Sequence, residues 1–262
     1  MPPTRRDLVA QLHSLGVLPG CVLIVHTSFR NTGPVEGGPE ELIDALLEAI
    51  GPEGTLVMPS WTDEDDEVFD PDSNDVEDHL GIVADTFWRR EGVERGTHPF
   101  AVAAIGPLAD EIAGAPFVLP PHAPGSGVAR VNDNDGWVLL LGVDHDADTT
   151  IHLAELTAGV PYRQPNFITV LEDGKPKRID YGENDSCCLG FNMVGDWLRA
   201  RGQQSDGRVG NGKAMLARSR DIVATVVEEL ADDLCRFLHP RGECEECDRS
   251  WASVSMGVPA VE

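Results

Sequence analysis

A chain of 262 residues is long enough to bury one large α/β core, with or without a small insertion, and needs no covalent staples. Its 45 Asp and Glu against 20 Lys and Arg give a formal charge of -25, which opposes a phosphate-backbone partner and gathers cations at low salt, although the same charge also serves solubility alone. Six cysteines do not read as a disulfide framework, no apolar run approaches the roughly 18 residues of a membrane span, and MPPTRRDLVAQLHSLG lacks an apolar leader, so a cytoplasmic protein with reduced thiols is expected.

In chain order, Arg5 to Leu15 reads as a helix ended by Pro19-Gly20, and the apolar run Cys21 to Val25 suits a strand buried on both faces. The turn TGPVEGGPEE leads into the helix LIDALLEAI, with Pro39 at its first position, and GPEGTLVMPSW turns into a second buried strand. This βαβ order predicts an α/β fold with a mixed, largely parallel central sheet flanked by helices. Strands are expected at Phe100 to Ile105 and Trp137 to Val143, and helices at Gly106 to Ala113 and Thr150 to Ala158. From Phe167 the alternation breaks: FITVL, a DGK turn and RIDYG read as a β-hairpin turning at Asp173-Gly174. Helices follow at Asn192 to Arg201 and from about Lys213 to Leu238. One domain over residues 1–262 is expected, with an acidic loop at 63–80 and a tail at 239–262.

The insertion DEDDEVFDPDSNDVED is too polar for a core and too acidic for a regular helix, which makes it a surface loop. No Lys or Arg occurs between Arg30 and Arg89, so these like charges raise one another's pKa unless a cation neutralises them. A bound cation is expected; the plain alternative is a solvated loop, since the EF-hand spacing is absent.

The segment LLLGVDHDADTTIHLAE carries the chemistry: a buried strand ends at Val143, a polar turn holds Asp144 to Asp148, and a helix opens at Thr149 or Thr150. Ligands in α/β folds sit beyond the carboxyl ends of strands. His152 then lies in the first turn, where the positive helix end favours a neutral ring, and Glu155 shares its face. Such a pair can take a proton from an attacking amine, though a histidine there is otherwise a cap or core residue. Val25 to Gly38, VHTSFRNTGPVEGG, offers hydroxyls and free amides that can hold phosphate or a pantetheine amide. It is neither a Walker A loop nor G-x-G-x-x-G, and Glu40 and Glu41 could satisfy the helix dipole with no ligand.

Three segments occurring together, VHTSFRNTGPVEGGPEELIDALLEAIGPEGTLVMPSWT, THPFAVAAIGPLADEI and LLLGVDHDADTTIHLAE, resemble the aminoglycoside 3-N-acetyltransferase family over about residues 5 to 235. The resemblance implies transfer of the acetyl group of acetyl-CoA to the 3-amino group of a deoxystreptamine antibiotic, on a fold distinct from the GNAT acetyltransferases. It implies His152 as general base, paired with a carboxylate from the later hairpin region, by position Glu183 or Asp185. It puts the CoA site at Thr27, Ser28, Phe29, Arg30 and Val35, with Thr97 and His98 nearby; the tetrahedral oxyanion needs donors, for which the hydroxyls of Thr27 or Ser28 and nearby backbone amides are expected. The cationic antibiotic would meet Thr62, Asp63, Glu64, Asp65, Asp66 and Glu67, and Glu155 beside the base. Direct attack is expected, because Cys187 and Cys188 lie in a segment with no evident helix start to activate a thiolate.

In the tail, FLHPRGECEECDRSW places His239 five residues before Cys244-x-x-Cys247, a spacing that holds structural zinc if Asp248, Cys235, Cys187 or Cys188 joins; the plain alternative is reduced thiols. Two rival functions remain open at this point: acetyl transfer to another amine, and a non-catalytic cation- or metal-binding protein. Monomer and homodimer are equally compatible with the sequence.

Overall fold

In the computed structural model, which describes residues 1–62 and 65–256, α1 (Arg5–Leu15) starts at a capping box. The Thr4 hydroxyl accepts from the Asp7 amide, and the Asp7 carboxylate answers the Thr4 amide. Next come β1 (Val22–Thr27), α2 (Phe29–Thr32), α3 (Gly38–Ile50) and β2 (Thr55–Pro59), the βαβ order read from the sequence. The acidic insertion separates these from α4 (Gly81–Trp88), β3 (Glu94–Arg95), β4 (Val102–Ile105), α5 (Ala109–Ala113) and α6 (Gly127–Asp133). β5 (Trp137–Leu141) feeds α7 (Thr150–Ala158), and β6 (Gln164–Glu172) and β7 (Lys175–Glu183) form the expected hairpin as a separate sheet. The chain continues through α8 (Met193–Ala200), β8 (Gln204–Val209), β9 (Gly212–Arg218), α9 (Ser219–Leu230) and α10 (Glu245–Met256).

The main sheet has the order β3-β4-β2-β1-β5-β9-β8. Parallel pairing is confined to its centre, where β1 runs with β2 and β5; every other neighbour pair is antiparallel. The mixed α/β class holds, with less parallel sheet than the βαβ opening suggests. Successive residues of a strand face opposite sides, so β1 sends Val22 and Ile24 into one core and Leu23 and Val25 into the other. Val138 and Leu140 of β5 alternate with Leu139 and Leu141 in the same way. Leu8 and Leu12 of α1, Leu42 and Leu46 of α3 and Phe87 of α4 cover one face; Val131, Ile151, Val194 and Ile222 of α6 to α9 cover the other. No helix among the described residues is long and apolar enough to cross a membrane.

Three expectations are corrected. The long helix from Lys213 is instead β9 followed by α9, with β8 before it. Ala, Met and Leu are good helix formers, but Ala214 to Ala217 fill a buried slot against β5, and that packing overrides propensity. The 106–113 helix shrinks to α5, and the tail contains α10. The acidic insertion is indeed on the surface, yet its neutralising charges come from residues just beyond it. Arg89 pairs with Asp75 at 2.6 Å, and Arg95 donates to the carbonyls of Ser60, Pro71 and Asn74 while its guanidinium lies over Phe69 and Trp88.

Candidate active site

The carboxyl ends of β1 and β5 come together through hydrogen bonds. Ser28 N–H donates to Leu141 O at 2.9 Å, and the Asn31 side-chain Nδ2 donates to Gly142 O at 2.7 Å. Gly142 sits at φ +72°, and a Cβ there would lie 2.8 Å from Ser28 O, so only glycine permits this approach. The chain then turns through Asp144 to Asp148 into α7, whose first amides meet the Asp148 side chain: Thr150 N donates to Asp148 Oδ1 at 3.0 Å.

His152 stands in the first turn of α7, as its spacing predicts, with its side chain 19% exposed. Its Nδ1–H donates to Glu155 Oε2 at 3.0 Å, one turn on, and Glu155 is fully buried. Glu155 also accepts from Asn184 Nδ2 at 2.8 Å and from the Tyr162 hydroxyl. Three donors on one carboxylate, which can only accept when ionised, fix the ring so that Nε2 faces the open side. The hairpin-region carboxylates are therefore not the partner of His152: Glu183 accepts from Asn166 at 2.6 Å and Tyr181 at 3.1 Å, and Asp185 is joined to α10 through its carbonyl, which accepts from Ser250. Glu155, in contact range by helix periodicity alone, takes that place.

Burial works against an imidazolium at His152, but the adjacent Cys188 sulfur and Glu155 carboxylate outweigh it and hold His152 well above the ordinary histidine range. The helix start thus does not keep the ring neutral, contrary to expectation. His122 stacks on it with centroids 5.2 Å apart, and burial, with His152 beside it, pushes His122 well below that range. Phe191 meets the His152 ring edge-on at 5.0 Å. Cys188 Sγ lies 3.7 Å from His152 Nε2; Cys188 has φ +57° and caps the 3₁₀ turn Leu189–Asn192, so this segment does open a helix that the sequence concealed.

His152 opens onto a cleft of 880 Å³, within the range of small-molecule sites. Carboxylates from three segments line it: Glu77; Asp144, Asp146 and Asp148; and Glu183 and Asp185. No Lys or Arg is among its described lining residues, although Lys213 reaches Asp144 from outside the lining. Burial raises both Glu183 and Asp185 above the usual carboxylate range. Asp148 is held low despite burial, by His145 and the Thr150 amide; His145 Nδ1 stands 3.4 Å from Asp148 Oδ2, within charge attraction but outside hydrogen-bond geometry. Asp148 Oδ2 and Thr27 Oγ1 are consequently buried without a hydrogen-bond partner.

Thr27 and Ser28 line this cleft; Phe29, Arg30 and Val35 do not, Phe29 and Val35 packing in the core and Arg30 pointing to solvent. Thr97 is exposed, and His98 is tied into the backbone: its Nδ1 accepts from Phe100 N at 2.9 Å and its Nε2–H donates to Val118 O at 3.0 Å. Burial lowers His98 to about 4, so it stays neutral. Thr62 is buried away from the cleft, Asp66 and Glu67 face solvent, and the Asp65 carbonyl accepts from Thr169 on β6. Asp63 and Glu64 lie outside the described residues. Sequence reading missed His122, Asn184, Tyr162 and Trp61; Glu77 falls within the acidic loop at 63–80 that it assigned to the substrate side.

On the far side of Cys188, Cys187 meets the tail: its Sγ is 3.2 Å from His239 Nδ1 and 3.6 Å from Cys247 Sγ.

A family profile described as aminoglycoside 3-N-acetyltransferase matches residues 24–231. Aminoglycoside N(3)-acetyltransferase IV from a Salmonella species is 56% identical over 236 residues, covering 90% of each chain. A histidine-to-alanine mutant of aminoglycoside acetyltransferase AAC(3)-IVa in complex with gentamicin superposes with a TM-score of 0.95 at 54% identity, over 97% of this chain and 98% of that one. The corresponding complex with apramycin gives 0.89 at 52% identity, over 94% and 98%.

Proposed function

The chain belongs to the aminoglycoside 3-N-acetyltransferase family, and we propose that it transfers the acetyl group of acetyl-CoA to the 3-amino group of an aminoglycoside, with His152 as general base. The observation that carries this reading is the His152 ring, backed by a triply bonded Glu155 and facing a carboxylate-lined cleft with no Lys or Arg among its described lining residues. Such a wall suits a polyamine.

In direct transfer, His152 Nε2 takes a proton from the attacking amine as its nitrogen bonds to the thioester carbonyl carbon. The C–S bond then breaks, and the proton returns to the thiolate, so amine and acetyl-CoA become amide and free CoA thiol. A strongly basic His152 is matched to an amine that is mostly ammonium near neutrality, and bound ammonium groups push His152 back toward its neutral form. Thr27 Oγ1 at the cleft wall supports a role as donor to the tetrahedral oxyanion, and Ser28 lies beside it. The six lining carboxylates, rather than the 63–67 run, are assigned to the ammonium groups, with gentamicin and apramycin the first acceptors to test. The test is thiol release from acetyl-CoA with each acceptor, with acetylation mapped by mass spectrometry; no thiol release with any aminoglycoside would sink the proposal.

One observation favours a second reading, in which Cys188 carries the acetyl group first: its sulfur adjoins His152 Nε2 at a positive-φ turn that opens a helix. That route requires an acetyl mass increment on Cys188 with acetyl-CoA alone.

A further inference from the structure

The sulfurs of Cys187, Cys244 and Cys247 and the Nδ1 of His239 lie within 4.8 Å of one another, although Cys187 is 52 residues from His239 in sequence. We propose that these four atoms bind one zinc ion as a closed structural site that anchors the tail to the wall of the active site.

The spacings match the metal. Zn–S near 2.3 Å and Zn–N near 2.0–2.1 Å in a tetrahedron require S···S edges of about 3.8 Å and S···N edges of about 3.6 Å. The observed edges are 3.6 Å for Cys187–Cys247, 3.2 Å for Cys187–His239 and 3.4 Å for His239–Cys247. They are too long for a disulfide, which needs S–S near 2.05 Å. The surroundings suit thiolates: the backbone N–H groups of Cys247 and Glu246 point at the Cys244 sulfur, at the positive end of α10. The turn is held from outside, by Trp251 Nε1–H donating to His239 O at 2.8 Å and Gly242 N to Asp248 Oδ1 at 2.8 Å. Asp248, one candidate fourth ligand, is therefore occupied, and Cys187 takes the place.

Four protein ligands leave no position for water or substrate, which separates this site from catalytic zinc. Its effect on function runs through the chain: Cys187 precedes Cys188, which touches His152, and follows Asn184, which donates to Glu155. Zinc here would fix α10 against the 184–188 segment. Binding displaces protons from the thiols and adds to folding stability.

Protein purified without chelators should contain about one zinc per chain by elemental analysis, the stoichiometry of a single closed site. Cobalt exchanged into the stripped protein should show the thiolate-to-metal absorption of a tetrahedral sulfur-rich site. Cys244→Ser and Cys187→Ser should lose the metal, while Cys235→Ser, a cysteine outside the cluster, retains it. If a serine variant fails to fold, the cobalt spectrum of the unmutated chain still decides. Absence of both zinc and the cobalt–thiolate band, equal metal loss in Cys235→Ser, or a Cys187–Cys247 disulfide by mass would each overturn the proposal.

Discussion

Replacing Glu155 by Gln removes the charge behind His152 while keeping a side chain of the same shape. The lost interaction is a buried charge-assisted hydrogen bond at 3.0 Å, of a kind that contributes roughly 1.5–3 kcal/mol. At about 1.36 kcal/mol per pH unit, the rising limb of kcat/KM against pH should move about 1–2 units toward acid. The direction follows from the state that works: only neutral His152 accepts a proton, so activity climbs as pH passes through its raised value. The ion pair's contribution to stability runs the other way, complete at low pH and fading as pH rises through that same value. The plateau should fall by roughly 10²–10⁴-fold, the usual share of a general base and its orienter. Gln sets its NH2 either against the Asn184 and His152 donors or against the Tyr162 hydroxyl, at a cost of about 1–3 kcal/mol in stability. Thermal unfolding measures that cost separately, and it cannot move a pH limb. An unchanged limb and plateau in Glu155→Gln, with the shift appearing in Glu183→Gln instead, would refute the pairing.

Asp148→Asn should raise KM for gentamicin about 3–10-fold with little change in kcat, and the wild-type KM should rise with salt, as screened ammonium–carboxylate attraction requires; salt-independent kinetics would contradict the role of the acidic wall. Gly142→Ala forces a Cβ against Ser28 O in a backbone that favours glycine, and should destabilise the fold by about 2 kcal/mol or more, read in denaturant unfolding. Cys188→Ser separates the two chemical routes: direct transfer keeps most of the rate and leaves the unmutated protein without an acetyl increment by intact mass, whereas a route through Cys188 loses the rate in the variant and shows that increment in the unmutated protein.

What the sequence made legible was local. His152 and Glu155 are three residues apart on one helix, and Thr27 and Ser28 follow a buried strand, so periodicity and the strand-end rule place them. The acidic run suggests the ligand because charge density marks exposure, not direction; among the described residues most of it turns to solvent or is held by Arg89 and Arg95, and only Glu77 reaches the cleft. Glu183 and Asp185 reach the site, but their pairing with His152 came from resemblance, and the geometry gives that bond to Glu155. His122 and Asn184 enter through long-range packing that leaves no pattern in one chain, whereas Tyr162, seven residues after Glu155, folds back just past the end of α7. β9 was read as helix because its composition favours helix and only the slot beside β5 makes it strand. Cys187, 52 residues from His239 in sequence, could be named as a fourth zinc ligand but not chosen, since spacing is silent across an intervening fold.

The most direct measurement is the transfer rate of His152→Ala with acetyl-CoA and gentamicin, alongside calorimetric binding of each. The account predicts a loss of roughly 10²–10⁴-fold in kcat with both ligands still bound, because the missing imidazole removes proton transfer and leaves the carboxylate wall in place. A His152→Ala protein that acetylates gentamicin at the wild-type rate would contradict it.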